Sequence, residues 1–297
     1  MTSIEQDRRA KLRIAVLGTG TMGAAIGRRV LGTDMAVHVW SRRRDATVNL
    51  VDLGATAHGE AADAAANSDV VITMLPTAQA IAEVMFGAHA LEAMPPGAIW
   101  LQMATIGVEP TEQLARRTRS ERPDISFVDA PVSGSRAPAE AGQLLILASG
   151  PERAAQLLEP LLSVLGRETL WLGDAGNGSR MKLVLNTLLA FQTEAAAEAA
   201  AVAEKLGVAT SSLFTALADN PLASPYAMAK LTRMVDGDYR ADFSLDWALK
   251  DLDLVASAVG TEVAPVAAAI AARWRDLVHN GSSGLDVAAA RKGLGSS

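Results

Sequence analysis

The sequence predicts an α/β domain built on a parallel sheet, followed by a long helix and an all-helical C-terminal domain. Short apolar runs, which are typical of buried parallel strands, recur through the first part of the chain and stop after Trp171. A glycine-rich turn at residues 173–178 then leads into an alanine- and glutamate-rich segment that reaches Leu206 without a helix breaker. This shift in composition places the domain boundary at the turn, with residues 1–175 in the first domain and 176–297 in the second.

The bulk composition excludes several classes of protein and site. A chain of 297 residues is long enough for two domains, and its 49% hydrophobic and 20% charged residues are typical of a globular protein. The net charge of -6 comes without a basic block, so we expect neither nucleic acid nor a membrane as a partner. The absence of cysteine excludes disulfides, thiolate metal sites and a cysteine nucleophile. Residues 1–13 are polar, with no apolar signal-peptide core, and no run is long enough to span a membrane, so we expect a cytoplasmic protein.

A glycine motif follows the first predicted strand, residues 13–17. Gly18, Gly20 and Gly23 form the pattern G-x-G-x-x-G, and a helical pattern comes after it. The pattern alone also fits a tight turn. Between a strand and a helix it favours a dinucleotide site, because the glycines let the backbone approach a pyrophosphate at the helix N-terminus. We therefore predict a Rossmann domain in which the cofactor contacts the loop residues Gly18, Thr19, Gly20, Thr21, Met22 and Gly23.

The end of the second predicted strand, residues 36–40, indicates which dinucleotide binds. NAD sites usually place an acidic residue here to hold the ribose 2′-hydroxyl. This chain has Ser41, Arg42, Arg43 and Arg44, and a hydroxyl with guanidinium groups suits a 2′-phosphate through charge-assisted hydrogen bonds. Surface charge is the alternative explanation for Arg42. Three consecutive arginines at this place favour NADP, with Ser41, Arg42 and Arg43 in contact with it.

Two further strands, residues 69–75 and 98–103, should end at the same edge of the sheet as the glycine loop, where ligands bind in open α/β folds. Leu75 and Pro76 close the first of these strands and are assigned to the cofactor. Thr105 follows the second strand and has two equally supported roles. It either contacts the nicotinamide or substrate, or it caps the helix that follows.

A candidate anion site follows the strand predicted at residues 125–129. Pro131 fixes the strand exit, and Ser133, Gly134 and Ser135 form a loop of small residues that can present backbone amides. Such a nest can hold a carboxylate. The remaining predicted elements of this domain are strands at residues 143–148 and 169–172, with a helix at 151–165 between them.

The long helix carries the acid–base candidate. We place its N-cap at Ser179, whose hydroxyl can accept from the free amides of the first turn. Lys182 and Asn186 follow, four residues apart and on one helix face. A lysine here is a candidate proton donor, because burial shifts a lysine pKa toward working pH; taken alone, the residue fits a solvated surface lysine better.

The histidines offer no alternative acid–base pair. They lie apart from the motifs, at His38, His58, His89 and His279, and we expect them to be structural. The sequence holds no metal-ligand constellation, so we expect no metal. Lys182 is the acid–base candidate that remains.

The chain after Trp171 predicts helices throughout. The segments with helical signals are residues 210–218, 226–235, 245–259 and 266–278. In the third of them, Leu245, Leu249 and Leu252 define an apolar face, and Lys250 and Asp251 are predicted to lie off that face.

Together these motifs resemble those of the β-hydroxyacid dehydrogenase family, the group that includes 3-hydroxyisobutyrate dehydrogenase, over almost the full length. The motifs that carry the resemblance are the glycine fingerprint with Met22-Gly23, Asp129-Ala130-Pro131-Val132-Ser133-Gly134, Gly176-Asn177-Gly178 leading to Lys182 and Asn186, and Lys250-Asp251. The match through residues 133–144 is most similar to the glyoxylate and succinic semialdehyde reductases of that family, which favour NADPH.

The resemblance implies an activity and a role for the long helix. The activity would be NADPH-dependent reduction of a small aldehyde or keto acid to the hydroxy acid. Lys182 would protonate the carbonyl oxygen as the general acid, and Asn186 would orient that lysine or the substrate. The protein would be a homodimer or a higher homo-oligomer, associated through the helical domain.

The resemblance also implies the binding residues. Ser133 and Gly134, with Ser135 beside them, would bind the substrate carboxylate, and Thr105 would lie near the nicotinamide. Lys250 would reach the cofactor, and Asp251 would lie beside the substrate.

This chain departs from the family pattern at two places. Ser135 stands where many relatives have a second glycine, as it does in the reductase branch. The aromatic residue that several relatives place over the substrate has no match near Ala223, and Tyr226 is the candidate substitute.

Two other functions compete with the reductase. Imine reductases share the fold and the NADPH preference, but they generally have another residue in place of Lys182. A non-catalytic cofactor-binding scaffold is the second alternative, and the scaffolds of this family lose that lysine.

Overall fold

The computed structural model describes residues 11–295, so residues 1–10 of the predicted polar N-terminal segment and residues 296–297 lie outside the description. The chain forms two compact units, Met1–Lys182 and Leu183–Ser297. The division falls within the long helix, directly after Lys182. Each unit has a hydrophobic core of its own.

The first unit is built on a parallel sheet. Its strands are β1 (Arg13–Leu17), β2 (Ala36–Trp40), β3 (Thr56–Ala57), β4 (Val70–Thr73), β5 (Ile99–Gln102) and β6 (Ser126–Asp129). They pair in parallel in the order β3-β2-β1-β4-β5-β6. In this doubly wound order, ligands bind outside the carboxyl ends of the strands where the order reverses, which here is between β1 and β4. The predicted Rossmann domain is confirmed.

Helices cover both faces of this sheet. They are α1 (Thr21–Leu31), α2 (Val48–Val51), α3 (Ala61–Ala66), α4 (Ala78–Ala82), α5 (Ala90–Ala93), α6 (Val108–Glu121), α7 (Arg136–Glu140) and α8 (Glu152–Leu165). Ile14 and Val16 of β1 belong to one core with α1 and α8, whereas Leu17 belongs to a second core with α3 to α6. Because alternate side chains of a strand face opposite sides of a sheet, the apolar strand runs follow from burial on both sides.

A second, small sheet extends the first unit. Its strands are β7 (Val132–Ser133), β8 (Leu144–Ala148) and β9 (Gly166–Trp171). β7 runs antiparallel to β8, and β9 runs parallel to it. A backbone bridge between Asp129 and Ser149 links the end of β6 to the end of β8. The candidate anion loop therefore belongs to a sheet.

The long helix α9 (Asn177–Lys205) starts in the first unit and continues in the second. The prediction that Ser179 is its N-cap is wrong, because the helix begins at Asn177 and Ser179 lies within the first turn. The amides that a local cap would satisfy are bonded instead by residues at the strand ends.

The second unit is helical, as predicted. After α9 come α10 (Thr210–Leu217), α11 (Pro225–Asp236), α12 (Leu245–Val259) and α13 (Pro265–Leu277). Between residues 183 and 295 the only β pairing is an isolated bridge between Ser244 and Asp286. Trp274, fully buried, packs at the centre of the core and donates its indole N–H to Glu194 of α9 at 2.8 Å. None of the helices described is both long and apolar enough to cross a membrane.

Candidate active site

The glycine loop between β1 and α1 is closed too tightly to hold side chains at two of its glycines. Gly18 has φ +101°, and a Cβ there would lie 2.5 Å from the carbonyl oxygen of Met74. A Cβ at Gly23 would lie 1.9 Å from the carbonyl oxygen of Gly18. The amide of Gly18 donates to the carbonyl of Trp40 at 2.9 Å, which joins the loop to the end of β2. Glycine is therefore required at both positions.

The third glycine of the loop faces open space. A Cβ at Gly20 would meet no atom within 4 Å, and Gly20 is the N-cap residue of α1. The first turn of α1 holds no acidic residue, so its free amides and helix dipole favour an anion. The hydroxyl of Thr19 is buried and has no hydrogen-bond partner among residues 11–295. The open space at Gly20, the N-terminus of α1 and the unpaired hydroxyl of Thr19 together suit the pyrophosphate of a dinucleotide. Thr21 and Met22 complete the loop.

The arginine cluster lies where β2 ends, next to this loop. Ser41 is half-buried, and Arg42, Arg43 and Arg44 are exposed. Within the described chain, neither Arg42 nor Arg43 makes a side-chain hydrogen bond or salt bridge. Both guanidinium groups are therefore accessible at the end of β2.

The ends of β4 and β5 complete the sheet edge. Leu75 is buried against Gly18, and Pro76 is half-buried after it. The loop that holds Thr105 is fixed by Gln102, a buried side chain whose Nε2 donates to the carbonyl of Ala104 at 2.7 Å and whose Oε1 accepts from the amide of Ala104 at 2.8 Å. Gly107 is the N-cap residue of α6, and both predicted roles of Thr105 stay predictions.

A buried carboxylate, which the sequence motifs contain without indicating its role, connects the end of β6 to α9. Asp129 is fully buried; its Oδ2 accepts from the backbone amide of Ser179 at 2.8 Å, and its Oδ1 accepts from the hydroxyl of Ser179 at 2.9 Å. Burial raises the pKa of the Asp129 carboxyl to about 6, while the hydrogen bonds from Ser179 and Ser149 act to lower it. The sequence signal was an acidic residue ending an apolar strand run directly before the proline loop.

The candidate carboxylate loop starts four residues after Asp129. Ser133 ends β7 and is half-buried, Gly134 is exposed with φ +133°, and Ser135 is half-buried. A Cβ at Gly134 would lie 2.8 Å from a methyl carbon of Leu144, so the turn depends on glycine.

The acid–base candidate lies one turn beyond the contacts of Asp129. Lys182 is half-buried in α9, at the last position of the first unit. Asn186 follows one turn later on the same helix face and is buried. In the second unit, the amide of Asn186 donates to Oδ2 of Asp251 at 2.5 Å, and Lys250 pairs with Oδ1 of Asp251 at 2.9 Å.

The prediction that Asp251 lies off the apolar face of its helix is wrong. Asp251 is 3% exposed and belongs to the buried face of α12 together with Leu252. Its burial is tolerated because Asn186 and Lys250 supply a hydrogen bond and an opposite charge. Half-buried Lys250 also lies 5.4 Å from the ring centre of Trp247.

The remaining candidates have structural contacts. The Tyr226 hydroxyl is 2.8 Å from the hydroxyl of Thr193, and burial raises the pKa of the Tyr226 phenol. Nδ1 of His38 lies 2.9 Å from Nε2 of His58. Burial, followed by the charge of His58, lowers the pKa of His38. No group of three or more His, Cys, Asp or Glu residues within 11–295 is placed to hold a metal ion.

Family models and known proteins match both units. The model for the NAD binding domain of 6-phosphogluconate dehydrogenase matches residues 13–173. The model described as NAD-binding of NADP-dependent 3-hydroxyisobutyrate dehydrogenase matches residues 176–294. Both families of domain bind a nicotinamide dinucleotide, in agreement with the glycine loop.

Three similar proteins match most of the chain. Glyoxylate/succinic semialdehyde reductase 1 of Arabidopsis thaliana is 31% identical over 282 residues, covering 94% of this chain and 96% of the relative. L-threonate dehydrogenase of Cupriavidus necator is 31% identical and covers 82% of each chain. The structure of Mycobacterium tuberculosis 3-hydroxyisobutyrate dehydrogenase with L-serine matches with a TM-score of 0.88 at 28% identity, over 97% of this chain and 100% of the other. This protein therefore belongs to the β-hydroxyacid dehydrogenase family of NAD(P)-dependent oxidoreductases.

Proposed function

We propose that the protein is an NADPH-dependent reductase that converts a small aldehyde or keto acid, of the glyoxylate or succinic semialdehyde type, to the hydroxy acid. The observation that carries the proposal is the common attachment of Lys182 and the Ser133–Gly134 loop to Asp129. The loop follows Asp129 in the chain, and the helix turn before Lys182 is hydrogen-bonded to the Asp129 carboxylate. Asp129 thus links the proposed carboxylate-binding loop, Ser133–Gly134, to the helix that carries the proposed proton donor, Lys182.

Each residue has a role in this proposal. The Ser133 hydroxyl and the amides around Gly134 bind the substrate carboxylate and orient its carbonyl group. A bound nicotinamide supplies the hydride to the carbonyl carbon. Lys182 donates its proton to the carbonyl oxygen, and its positive charge stabilises the developing alkoxide. Asn186, fixed by Asp251, orients the substrate or Lys182 from the same helix face.

NADP is proposed over NAD because of Arg42 and Arg43. Both guanidinium groups are exposed beside the glycine loop, and no acidic residue stands at the end of β2 to receive a free ribose hydroxyl. Arginine binds phosphate through several parallel hydrogen bonds, which an unphosphorylated ribose does not offer. Lys250 is also proposed to bind the cofactor.

The substrate class is proposed from the carboxylate loop and from the relatives. Ser135 follows Gly134 in this chain, and the first relative named above reduces glyoxylate and succinic semialdehyde, as its name states. An imine reductase and a non-catalytic scaffold are the alternatives, and the presence of Lys182 argues against both.

We also propose a homo-oligomer. Four exposed apolar side chains follow one line along α9, since they recur at spacings of one and five helical turns: Val184, Leu188, Val202 and Leu206. Exposed apolar side chains grouped on one helix face are typical of a surface that another chain covers. A second copy of this chain is the proposed partner.

The test is the oxidation of NADPH, followed by absorbance, with glyoxylate, succinic semialdehyde, methylmalonate semialdehyde and a cyclic imine. Each assay is repeated with NADH. Turnover of an aldehyde acid with NADPH is the expected result. Turnover of the imine alone would establish the first alternative, and tight NADPH binding without any turnover would favour the scaffold.

A further inference from the structure

We propose that Asp129 is a positioning residue: it holds the N-terminus of α9, and with it Lys182, at a fixed place relative to the Ser133–Gly134 loop. The inference rests on the proposed function, in which Lys182 is the proton donor. Asp129 itself touches neither substrate nor cofactor in this proposal. It acts through the helix that it holds.

Residues at the strand ends accept hydrogen bonds from the first backbone amides of α9. The first amides of a helix have no partner within the helix. In α9, the amide of Ser179 bonds to Asp129 at 2.8 Å, and the amide of Gly178 bonds to the hydroxyl of Ser149 at 2.9 Å. The flanking amides bond to carbonyl groups of the preceding turn. The strand ends, through Asp129 and Ser149, therefore replace a local cap and decide where the helix starts.

The first turn of α9 packs closely against the ends of β6 and β8. A Cβ at Gly178 would lie 2.1 Å from the carbonyl oxygen of Leu147 and 3.2 Å from the Asp129 carboxylate. Only glycine permits this approach. The helix backbone therefore lies directly against the end of β8, and a shift of its first turn requires that the bonds to Asp129 break.

Asp129 is connected both to the Ser133–Gly134 loop and to the helix turn that precedes Lys182. The backbone of Asp129 exchanges hydrogen bonds of 2.9 and 2.7 Å with Ser149 and then continues to Ser133. Lys182 lies three residues after Ser179, and helical side chains lean toward the N-terminus, over the turn that Asp129 holds. The separation of proton donor and carboxylate loop is thus set through Asp129.

The charge of Asp129 makes this support sensitive to pH. Its side-chain partners are Ser179 of α9 and Ser149 after β8; Thr111 of α6 reaches Ser179 at 3.1 Å, and none of the three titrates near neutrality. No cation pairs with Asp129 among residues 11–295. The nearest charged residues along the chain, beside Thr111 and Ser179, are Glu112 and Arg180, which pair with each other.

The ionised carboxylate is therefore held by hydrogen bonds from Ser179 and Ser149 and by the helix dipole, and Lys182 follows Ser179 by three residues. Burial raises the pKa of Asp129 to about 6, so the carboxylate gains a proton on mild acidification. A neutral carboxyl accepts less strongly from the Ser179 amide and adds no charge near Lys182. Protonation should therefore weaken the Asp129–Ser179 contact, even though removal of the buried charge stabilises the fold as a whole.

The test compares the pH profile of kcat for reduction, between pH 5 and 9, in the wild type and in Asp129→Asn. We expect wild-type kcat to fall below about pH 6 toward the lower rate of Asp129→Asn, and the variant to have a kcat roughly tenfold lower at pH 7.5 with no acid limb. The Kd for NADPH should stay within about twofold. An unchanged kcat, or an acid limb that persists in Asp129→Asn, overturns the inference.

Two control variants separate positioning from folding. Ser149→Ala removes the partner of the Gly178 amide and one hydrogen bond to Asp129, but it keeps the Asp129–Ser179 contact. The acid limb should therefore remain, moved to higher pH, while kcat falls less. Asp286→Asn neutralises another buried carboxylate, which pairs with Lys230 in the second unit. It should lower stability and leave the shape of the pH profile unchanged.

The reactivity of Lys182 can be measured in the absence of turnover. The rate at which acetic anhydride acetylates Lys182, read by peptide mass spectrometry, reports the position and charge state of its amine. We expect this rate to rise at least about threefold in Asp129→Asn, because the loss of a nearby negative charge favours the neutral amine, while exposed Lys205 of the same helix stays unchanged. A changed labelling rate with no turnover on any substrate refutes the proposed function alone. An unchanged rate in an active enzyme refutes the positioning role.

Discussion

The side-chain amide of Asn186 donates a hydrogen bond of 2.5 Å to the carboxylate of Asp251, and both side chains are buried. Asn186 shares a helix face with Lys182. Lys250 pairs with the other oxygen of Asp251 at 2.9 Å. The orientation of the amide beside the proposed acid is therefore fixed by a charged acceptor, which is stronger than a neutral one.

Asn186→Ala should destabilise the protein by about 2 kcal/mol, because the buried carboxylate of Asp251 loses a donor. Urea unfolding measures the change. The double variant with Asp251→Asn should show a coupling energy of about 1 kcal/mol or more, since the two side chains are in contact. Strict additivity would contradict this assignment. Glu198→Ala, at an exposed position of the same helix, is the control and should change stability little.

The sequence predicts the elements whose signal is local. β1 and β2 have the predicted bounds, residues 13–17 and 36–40, because each is an apolar run with a turn after it. The glycine loop is predictable for the same reason, since its spacing and its place between strand and helix are both visible in the chain.

Features set by contacts between distant segments are not predictable in this way. β7 has two residues in a proline loop and therefore no alternating pattern. Asp251 is polar, so the sequence pattern predicts it off the apolar face of its helix. It is buried because Asn186, on another helix, donates a hydrogen bond to its carboxylate. Ser179 has the residue type of an N-cap, and Asp129 takes over that function from a strand end.

The glycines of the loop should separate stability from cofactor binding. Gly23→Ala places a methyl group where only 1.9 Å remains to the Gly18 carbonyl oxygen, so the loop must shift and the thermal midpoint should fall by several degrees. Gly20 has φ -68° and faces open space, so Gly20→Ala should fold normally. Its methyl group points where we place the pyrophosphate, and the Kd for NADPH should rise. Equal effects of both variants on stability would contradict the loop geometry.

Replacement of Arg42 and Arg43 by alanine should raise the KM for NADPH about thirtyfold, because exposed charge-assisted contacts to a 2′-phosphate contribute on the order of 1 kcal/mol each. The KM for NADH should be unchanged, since its ribose lacks the phosphate. Arg119→Ala, at an exposed position of α6 in the same unit, is the matched control. Equal losses with both cofactors would show that the arginines do not select NADP.

Lys182→Ala should lower kcat for aldehyde reduction by about 10²- to 10⁴-fold, the usual contribution of a general acid. Lys182 is half-buried at the start of α9, so the fold and the Kd for NADPH should survive the truncation. Stopped-flow measurement of NADPH oxidation gives the rate, and fluorescence titration gives the affinity. Lys205→Ala, at the exposed end of the same helix, should retain full activity. Near-normal turnover in Lys182→Ala would assign the proton to another donor.

Asp129 should make the free energy of unfolding depend on pH in a defined direction. Its pKa in the folded protein is about 6, above the unfolded value of 3.8, so between these values the folded state binds more protons than the unfolded state. Stability from this group therefore falls as the pH rises from about 4 to 6 and stays lower above it. The cost of the buried charge at pH 7.5 is on the order of 3 kcal/mol.

Asp129→Asn removes this titration while keeping an acceptor for the Ser179 amide. Its stability relative to the wild type should therefore be greater at pH 7.5 than at pH 4.5, although its kcat is lower. Urea unfolding at the two pH values measures the difference, and the other carboxylates cancel because both proteins contain them. A difference that is independent of pH would mean that Asp129 keeps its charge throughout this range, held by the helix N-terminus more strongly than burial opposes it.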